Sequence, residues 1–239
     1  MIFLLDKKPS APFPDIALAE REPNGLLAVG GDLSAQRLIN AYLQGIFPWF
    51  SEGEPILWWS PDPRTVLFPE RIKTSRSLRK TLKKQLFTVS FDRDFQSVIN
   101  ACAQPRDNSP GTWLLPEMIE AYHQQHELGL AHSVEVWQDE NLVGGLYGMA
   151  IGGVFFGESM FSRVPDSSKI ALVHLGRTLQ AWGFKMIDCQ VYTQHLASLG
   201  AEEIPRVTFR HNLGQWCELP GRPGSWSDTP MARPGIDSC

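Results

Sequence analysis

The sequence predicts an α+β protein with a small, loop-rich N-terminal domain at residues 1–64 and a mixed α/β C-terminal domain at residues 65–219. Proline and glycine interrupt the first 64 residues, which contain one clear helix signal. The segment from Trp58 to Arg64 then contains two prolines that oppose helix, so we place the domain boundary there. Beyond residue 132, the apolar pattern changes between the periods of strands and helices.

The elements follow from capping residues and apolar spacing. In the first domain a helix begins after Ser34 and ends at Gly45, and in the second Ser75 caps a short basic helix. The remaining predictions, in order, are a strand at 87–91, helices at 94–102 and 116–128, strands at 132–137, 142–150 and 154–157, a long helix capped by Ser167 or Ser168, a strand at 186–192, a short helix at 195–199 and a last strand at Phe209.

The order of elements from 132 to 210 is therefore β-β-β-α-β-α-β, which predicts a mixed sheet with helices packed on it. The order also fits an acyltransferase-like fold of the N-acetyltransferase type. From Pro220 onward the chain is rich in Gly, Pro and Ser, and this composition predicts a disordered tail at residues 220–239.

Composition limits the class of protein. The net charge of −4 over 239 residues argues against a chain that is basic throughout, so a nucleic-acid partner would need a local basic patch. The four cysteines are far apart, which argues against a disulfide framework or zinc knuckle. No apolar window approaches a membrane span, and Asp6 ends the apolar start too early for an export signal. We expect a soluble cytoplasmic protein.

A run of like charges lies between residues 71 and 84. Its charged residues are Arg71, Lys73, Arg76, Arg79, Lys80, Lys83 and Lys84, with no acid among them. Helical spacing places the last five near one face. A solvated surface helix is one interpretation. Because like charges repel and the chain is acidic overall, a site for a polyanion such as nucleic acid is the other, which we favour.

Aromatic residues and carboxylates supply further candidates. Trp49 and Trp113 lie among glycines and prolines, where they could stack on exposed bases, although core packing is the alternative. Glu158 lies at the end of an apolar strand. Strand alternation places Asp188 and Gln190 on one face, as a structural hydrogen-bonding pair or as groups that hold or deprotonate an amine.

Metal and nucleotide chemistry receive little support. His123 and His126 are three residues apart on a predicted helix, but no further ligand completes a set, so we predict no metal. The chain contains no nucleophile elbow, P-loop or dinucleotide fingerprint.

Several segments together resemble the leucyl/phenylalanyl-tRNA–protein transferases over about residues 10–210. The segments lie at 21–33 (REPNGLLAVGGDL), 45–50 (GIFPWF), 57–64 (LWWSPDPR), 111–113 (GTW), 132–137 (HSVEVW), 144–148 (GGLYG), 157–162 (GESMFS) and 187–190 (IDCQ). The resemblance is specific because all of these segments occur together, in one order along the chain. Leu146 stands where some relatives carry Met, a similar apolar side chain.

The resemblance implies transfer of Leu or Phe, with Met as a further candidate, from aminoacyl-tRNA to proteins with N-terminal Arg or Lys, which marks them for degradation by the N-end rule. It implies no cofactor, and we expect a monomer. It places catalytic or reaction-site roles on Asp188, Gln190 and Glu158, substrate binding on Trp49, Trp113, Leu146, Phe155, Met160 and Ile187, and tRNA binding on Arg76, Arg79, Lys80, Lys83 and Lys84.

Two rival functions remain open. A CoA-dependent N-acyltransferase would need a glycine-rich phosphate loop, yet the link from Ser162 to Lys169 contains no glycine. A non-catalytic tRNA-binding protein would suit the basic run and the aromatics equally well.

Overall fold

The computed structural model describes residues 2–105 and 114–230. Its strands are β1 Phe3–Leu5, β2 Leu26–Gly30, β3 Phe47–Pro48, β4 Leu57–Trp59, β5 Arg64–Leu67, β6 Thr88–Phe91, β7 Ala131–Gln138, β8 Asn141–Ile151, β9 Val154–Ser162, β10 Met186–Gln190 and β11 Glu202–Ile204. Its helices are α1 Ala35–Leu43, α2 Arg76–Lys83, α3 Phe95–Cys102, α4 Pro116–Glu127, α5 Ser167–Ala181, α6 Gln194–Ser198 and α7 Arg206–Trp216. Across the described ranges, no helix is both long and apolar enough to cross a bilayer.

Two sheets confirm the predicted α+β class. The small sheet has the strand order β1-β2-β4-β3, and the large sheet has the order β11-β5-β10-β9-β8-β7-β6. The large sheet is mixed. Strands β9 and β10 are parallel, and every other pair of neighbouring strands in this sheet is antiparallel. The small sheet lies entirely before residue 60, whereas Arg64 already begins the first strand of the large one. The domain division at 1–64 and 65–219 stays a prediction, and its boundary falls within one residue of the start of β5.

Helices cover both faces of the large sheet. Along β8, Leu146 and Ala150 pack with the α5 side of the core, whereas Tyr147 and Met149 pack with α3, α4 and the N-terminal segment. This alternation is the two-residue period of a strand buried on both faces. The hydrophobic cluster that contains Tyr147 and Met149 also includes Trp58 of the small sheet. The N-terminal segment therefore packs directly against this face of the large sheet.

The described part of the tail is not disordered, so that prediction is wrong for residues 220–230. Trp226 is fully buried, and its ring stacks on His132 with 3.7 Å between centroids. Asp92 accepts a hydrogen bond from the Trp226 amide (2.7 Å) and pairs with His132 Nδ1 (2.8 Å). One large aromatic residue therefore anchors a segment whose average composition suggests disorder. Residues 231–239 lie outside the described residues.

Local predictions near the chain's second half also need correction. Phe209 lies in helix α7 and not in a strand, because Phe209 and Leu213 form a buried i, i+4 pair. The last strand is β11 instead. Helix α5 begins after Asp166, and Ser167 lies inside its first turn, where its hydroxyl donates to the Val143 carbonyl.

Candidate functional site

The candidate site opens where two strands of the large sheet separate. Strands β9 and β10 pair from Met186–Val154 to Asp188–Phe156 and no further. Beyond that point β9 continues to Ser162 beside β8, while β10 ends at Gln190. The separation leaves a cavity of about 900 Å³ between the diverging strand ends, roofed by α5 and bordered by the N-terminal segment. Such a volume accommodates a ligand of small-molecule size.

Seven of the nine predicted catalytic and substrate-binding residues meet at this cavity. Those that line it are Trp49, Leu146, Phe155, Glu158, Met160, Ile187 and Gln190. Leu146, Phe155 and Ile187 are buried and form an apolar floor, whereas Trp49 is 47% exposed at the rim. The segments that carry them are far apart in sequence, so the tertiary structure alone brings them together. Trp113 lies outside the described residues.

A bulge at the end of β10 separates Asp188 from Gln190. The pairing of β10 with β5 shifts register between these two residues, and Gln190 has a φ of 63°. Alternation would place both side chains on one face. Instead, Gln190 turns into the cavity beside Ile187, and Asp188 points away from it. The prediction of a shared face is therefore wrong, because the bulge inserts an extra residue into the alternation.

Asp188 lies behind the cavity wall and does not line it. Its carboxylate is fully buried and accepts two hydrogen bonds from Arg64, from Nε to Oδ1 at 2.8 Å and from Nη2 to Oδ2 at 2.6 Å. Oδ1 also accepts the backbone amide of Gln190 at 3.0 Å. The Arg64 guanidinium lies between the rings of Phe47 and Phe209, each 4.7 Å from it. Asp188 is thus held in a bidentate buried ion pair and fixes the backbone that presents Gln190.

Among the described residues, Glu158 supplies the carboxyl group that lines the cavity. Its Oε1 accepts hydrogen bonds from the Tyr42 hydroxyl at 2.7 Å and Gln190 Nε2 at 3.0 Å, and its Oε2 contacts the Tyr122 hydroxyl at 2.8 Å. Burial raises the pKa of Glu158 to about 7, and the nearby Asp188 charge adds to the rise, against the hydrogen-bond donors that lower it. A carboxyl group with that pKa changes charge near neutral pH.

Sequence reasoning does not find three residues of this arrangement. In the sequence, Tyr42 is part of an apolar stripe on α1, Tyr122 is part of one on α4, and Arg64 ends a connector. The structure buries all three side chains and directs their polar atoms to Glu158 or Asp188. A buried tyrosine or arginine usually has a polar partner. A tyrosine within an apolar helix stripe, or an arginine at the start of a buried strand, is therefore the sequence signal that could have indicated these contacts.

Helix α2 presents the predicted basic face. Ser75 caps the helix by accepting the Leu78 amide at 3.1 Å, and Leu78 and Leu82 are buried. The opposite face exposes all five predicted cations, which are Arg76, Arg79, Lys80, Lys83 and Lys84. Among the residues that the structure describes, no acid forms an ion pair with any of the five. The basic face is therefore not neutralised by those parts of the chain.

The basic helix lies near one end of the cavity. Thr81 of α2 donates to Asp166 at 3.3 Å, directly before α5 begins. Ser168 and Leu172, in the first turns of α5, line the cavity. A polyanion bound along α2 could therefore extend an end into the cavity.

The two histidines that the sequence offers as metal ligands make other contacts. His126 stacks on Phe95 with 4.2 Å between ring centroids, and His123 lies 3.8 Å from Glu127.

Two family models match the chain. The leucyl/phenylalanyl-tRNA protein transferase model matches residues 66–214, and the model for the N-terminal domain of the same proteins matches residues 31–62. The first match alone covers more than half of the 239 residues. The chain belongs to the leucyl/phenylalanyl-tRNA–protein transferase family. It is therefore an aminoacyltransferase, and the predicted family is confirmed.

Individual members of the leucyl/phenylalanyl-tRNA–protein transferase family are similar to this chain over most of their length. The protein of that name from Ectopseudomonas mendocina is 60% identical, covering 90% of this chain and 96% of its own. The Nitrosospira multiformis protein of the same name is 61% identical, covering 90% and 92%. Among solved structures, L-PGS from Bacillus licheniformis aligns over 72% of this chain and 57% of its own, with 12% identity and a TM-score of 0.38, too remote to bear on function.

Glu158→Gln should change how the free energy of unfolding depends on pH. The unfolded carboxyl titrates near 4.5, and folding raises its pKa to about 7. The folded protein therefore keeps a proton that the unfolded chain loses between these values, so this contribution is complete below pH 4.5 and is lost as pH rises to 7. We expect wild type to lose about 2 to 3 kcal/mol relative to Glu158→Gln over this range.

Urea unfolding of both proteins at pH 4.5, 5.5, 6.5 and 7.5 measures this difference. The difference between the two proteins isolates Glu158, because all other titratable residues, including the buried Glu135, are present in both and contribute equally. Parallel pH profiles for the two proteins would contradict a raised pKa at Glu158.

Proposed function

We propose that this protein transfers Leu or Phe, with Met as a further candidate, from aminoacyl-tRNA to the α-amine of proteins that begin with Arg or Lys. The product would be a protein with a new N-terminal residue that marks it for degradation by the N-end rule. The observation that carries the proposal is one cavity with an apolar floor and the Glu158–Gln190 pair on its wall, beside the exposed basic face of α2. Because aminoacyl-tRNA is a cytoplasmic substrate, we propose the cytoplasm as the location of the reaction.

The apolar floor would select the donor amino acid. Leu146, Phe155, Met160 and Ile187 face the same cavity, and none of their side chains offers a charged partner. A Leu or Phe side chain would gain free energy from burial there, at roughly 25 cal/mol per Å² of apolar area. Against this floor, away from Glu158, a charged side chain would lose hydration without a matching partner and would be rejected.

The tRNA would be held at two places. Trp49 at the rim offers an aromatic face for the terminal adenosine, and we propose the same role for Trp113, which lies outside the described residues. The exposed cations of α2 would contact backbone phosphates of the acceptor arm. Such contacts contribute affinity and position without reading base sequence.

The acceptor would approach Glu158 and Gln190. A carboxylate at Glu158 would favour a cationic Arg or Lys side chain. The α-amine must be neutral to attack the ester carbonyl, and Gln190 could orient it or accept a hydrogen bond from it. We propose that Asp188 is a positioning residue, since its oxygens contact Arg64 and the Gln190 amide. The tRNA ester is already activated, so positioning supplies much of the rate and the reaction requires no ATP.

The CoA-dependent rival finds no support at the start of α5. A pyrophosphate would need free backbone amides there. The Ser168 amide donates to the Ser162 hydroxyl at 3.0 Å, and the Ser167 amide donates to the Val164 carbonyl at 3.3 Å. Asp166 at the same position pairs with Lys169 at 2.8 Å, so that lysine is already engaged by a carboxylate.

The experiment that tests the proposal is transfer of radiolabelled leucine from Leu-tRNA to a peptide that begins with Arg. The matched control is the same peptide beginning with Glu. Label on the Arg peptide alone, without ATP or CoA, would establish the activity and its acceptor rule. A folded protein that binds tRNA but labels neither peptide would be a binding protein, and this outcome would contradict the proposal.

Changing Lys80 and Lys83 together to Gln should weaken binding of tRNA and make it less sensitive to salt. Removing one phosphate-binding cation reduces the slope of log K against log salt by roughly 1, so the slope for the double variant should be smaller by about 2. Fluorescence anisotropy with labelled tRNA at several salt concentrations measures the slope. The control is Lys7→Gln with Lys8→Gln, two exposed lysines in the N-terminal segment. Equal slopes for both double variants would exclude α2 as the tRNA surface.

A further inference from the structure

Three polar side chains form a closed triangle in the wall of the cavity. The Tyr42 and Tyr122 hydroxyls are 2.6 Å apart. Tyr42 also contacts Glu158 Oε1 at 2.7 Å, and Tyr122 contacts Glu158 Oε2 at 2.8 Å. Both tyrosine side chains are fully buried. Every side of the triangle is therefore a contact of hydrogen-bond length, and the two tyrosine hydroxyls are withdrawn from bulk solvent.

The number of available protons constrains the charge of this triangle. Three hydrogen bonds need three protons, and each tyrosine supplies one. If Glu158 is ionised, both hydroxyls donate to its carboxylate, and the two phenolic oxygens then face each other at 2.6 Å with no proton between them. A proton on Glu158 completes the ring, with each oxygen donating to the next.

Gln190 determines which oxygen of Glu158 can carry the proton. Its Nε2 donates to Oε1 at 3.0 Å, and Tyr42 donates to the same oxygen. With Oε1 receiving two donors, Oε2 is the oxygen that donates, to Tyr122. Tyr122 in turn donates to Tyr42, so all four contacts are satisfied in one consistent direction.

The surrounding groups favour the neutral acid. From β10, the Asp188 carboxylate adds like charge, although Arg64 of β5 pairs with it. From β8, Tyr147 faces the same carboxyl group. Burial and the Glu158 charge raise the pKa values of Tyr42 and Tyr122 well above their usual range, so neither tyrosine releases its own proton. Burial likewise raises the pKa of Glu158 to about 7.

We propose that Glu158 is a neutral acid in the free protein, because only its proton completes the ring of hydrogen bonds with Tyr42 and Tyr122, and that the cationic side chain of an acceptor's N-terminal residue displaces this proton on binding. The proton leaves Oε2 for solvent, and the carboxylate pairs with the cation, so charge balances. Both tyrosines then donate to the carboxylate, and the contact between their hydroxyls opens. This proposal rests on the proposed function for its ligand, but the ring proton exists without any ligand.

Acceptor binding would therefore depend on pH through a group of the enzyme. Below pH 7, the apparent affinity for the acceptor should fall by about tenfold per unit of pH, because one proton must leave Glu158. The α-amine of an ordinary acceptor titrates in the same range. A peptide that begins with desamino-arginine removes this ambiguity, since it keeps the guanidinium and lacks the α-amine.

Infrared difference spectroscopy tests the ring proton without substrate. Wild type minus Glu158→Gln, with isotope-labelled glutamate, should show the carbonyl stretch of a protonated carboxylic acid at pH 6. The amide of the variant can donate to Tyr122 in place of the acid proton, so the variant should fold. Absence of the band at pH 6 would overturn the proposal.

Two tyrosine variants show whether the hydrogen-bonded ring or burial alone keeps Glu158 protonated. Tyr42→Phe removes two sides of the triangle and should lower the pH midpoint of the carbonyl band, because the acid loses the ring that its proton completes. Tyr147→Phe is the control, because the Tyr147 hydroxyl is buried on the same wall and forms no hydrogen bond with any described residue. A midpoint that Tyr42→Phe leaves unchanged or raises would show that Tyr42 acts only as a donor to the carboxylate and that the ring does not hold the proton.

Calorimetry with the desamino-arginine peptide tests the displacement. Binding to wild type in two buffers with different ionisation heats should release about one proton at pH 6 and almost none at pH 8.5, where Glu158 is already ionised. Binding without proton release would overturn the displacement while leaving the acceptor assignment intact. If the infrared band is present but neither this peptide nor an ordinary Arg peptide binds at any pH, the acceptor assignment and the displacement both fail.

Discussion

Replacing Asp188 by alanine should lower the free energy of unfolding by about 3–5 kcal/mol. The variant leaves the Arg64 guanidinium fully buried between two rings without its carboxylate partner. The remaining acceptor is the Gly45 carbonyl, 3.2 Å from Nη1. An uncompensated buried cation is far less stable than the pair, so the effect should exceed that of removing any exposed ion pair.

Urea unfolding at pH 7 measures this effect, with Glu202→Ala as the control. Glu202 pairs with Arg71 at 3.2 Å, but both side chains are about half exposed. Loss of that pair should cost about 1 kcal/mol or less. The double variant Arg64→Met with Asp188→Ala should recover much of the stability, because it removes the unpaired cation as well. Equal losses for Asp188→Ala and Glu202→Ala would contradict the buried pair.

The same variant separates two roles for Asp188 in transfer. If Asp188 acts by holding the Gln190 backbone, its removal should reduce transfer together with stability, since Gln190 has a left-handed φ that this hydrogen bond supports. Transfer should be measured at a temperature where the variant is folded by circular dichroism. Loss of transfer with an unchanged free energy of unfolding would instead indicate that Asp188 acts on the substrates directly.

Replacing Trp226 by alanine should lower the free energy of unfolding by about 3–5 kcal/mol, the range for large aromatic residues in a core. Trp226 stacks on His132 and packs against Trp182 with 4.9 Å between ring centroids. It also lies 6.1 Å from Phe155, a residue of the cavity floor. The variant should therefore weaken the floor of the donor pocket as well as the fold.

Thermal and urea unfolding check this result, with Trp49→Ala as the matched control. Trp49 is 47% exposed, so the same chemical deletion there should change stability far less while reducing tRNA binding. Truncation after Leu219 should resemble Trp226→Ala. Unchanged stability in the truncated protein would show that the tail does not contribute to the core.

Local sequence features predict the elements that depend on local physics. The helix after Ser75 forms where its cap and its two buried leucines indicate, and the basic face is exposed because five charges cannot be buried unpaired. Strands β7 to β9 follow their alternation and turns. The family resemblance assigns the apolar residues Leu146, Phe155, Met160 and Ile187 to substrate binding, and they do share one cavity.

Local features do not predict the arrangement around the carboxyl groups. Gln190 and Asp188 lie on different faces because of a bulge, and a bulge depends on pairing with β5, more than 120 residues earlier. The prediction of a disordered tail fails because average composition gives no weight to a single residue, Trp226, whose ring stacks on His132 in the folded protein. Both features depend on contacts between residues that are far apart in the chain.

The sequence by itself therefore determined the class of fold, the family and the exposed basic helix, because these follow from periodicity, capping, charge and the order of motifs. The tertiary structure alone decided which carboxyl group faces the cavity. It pairs Asp188 with Arg64 behind the wall and surrounds Glu158 with Tyr42, Tyr122 and Gln190. The charge of a buried group depends on its desolvation and its hydrogen-bond partners, and these exist only after distant segments have packed together.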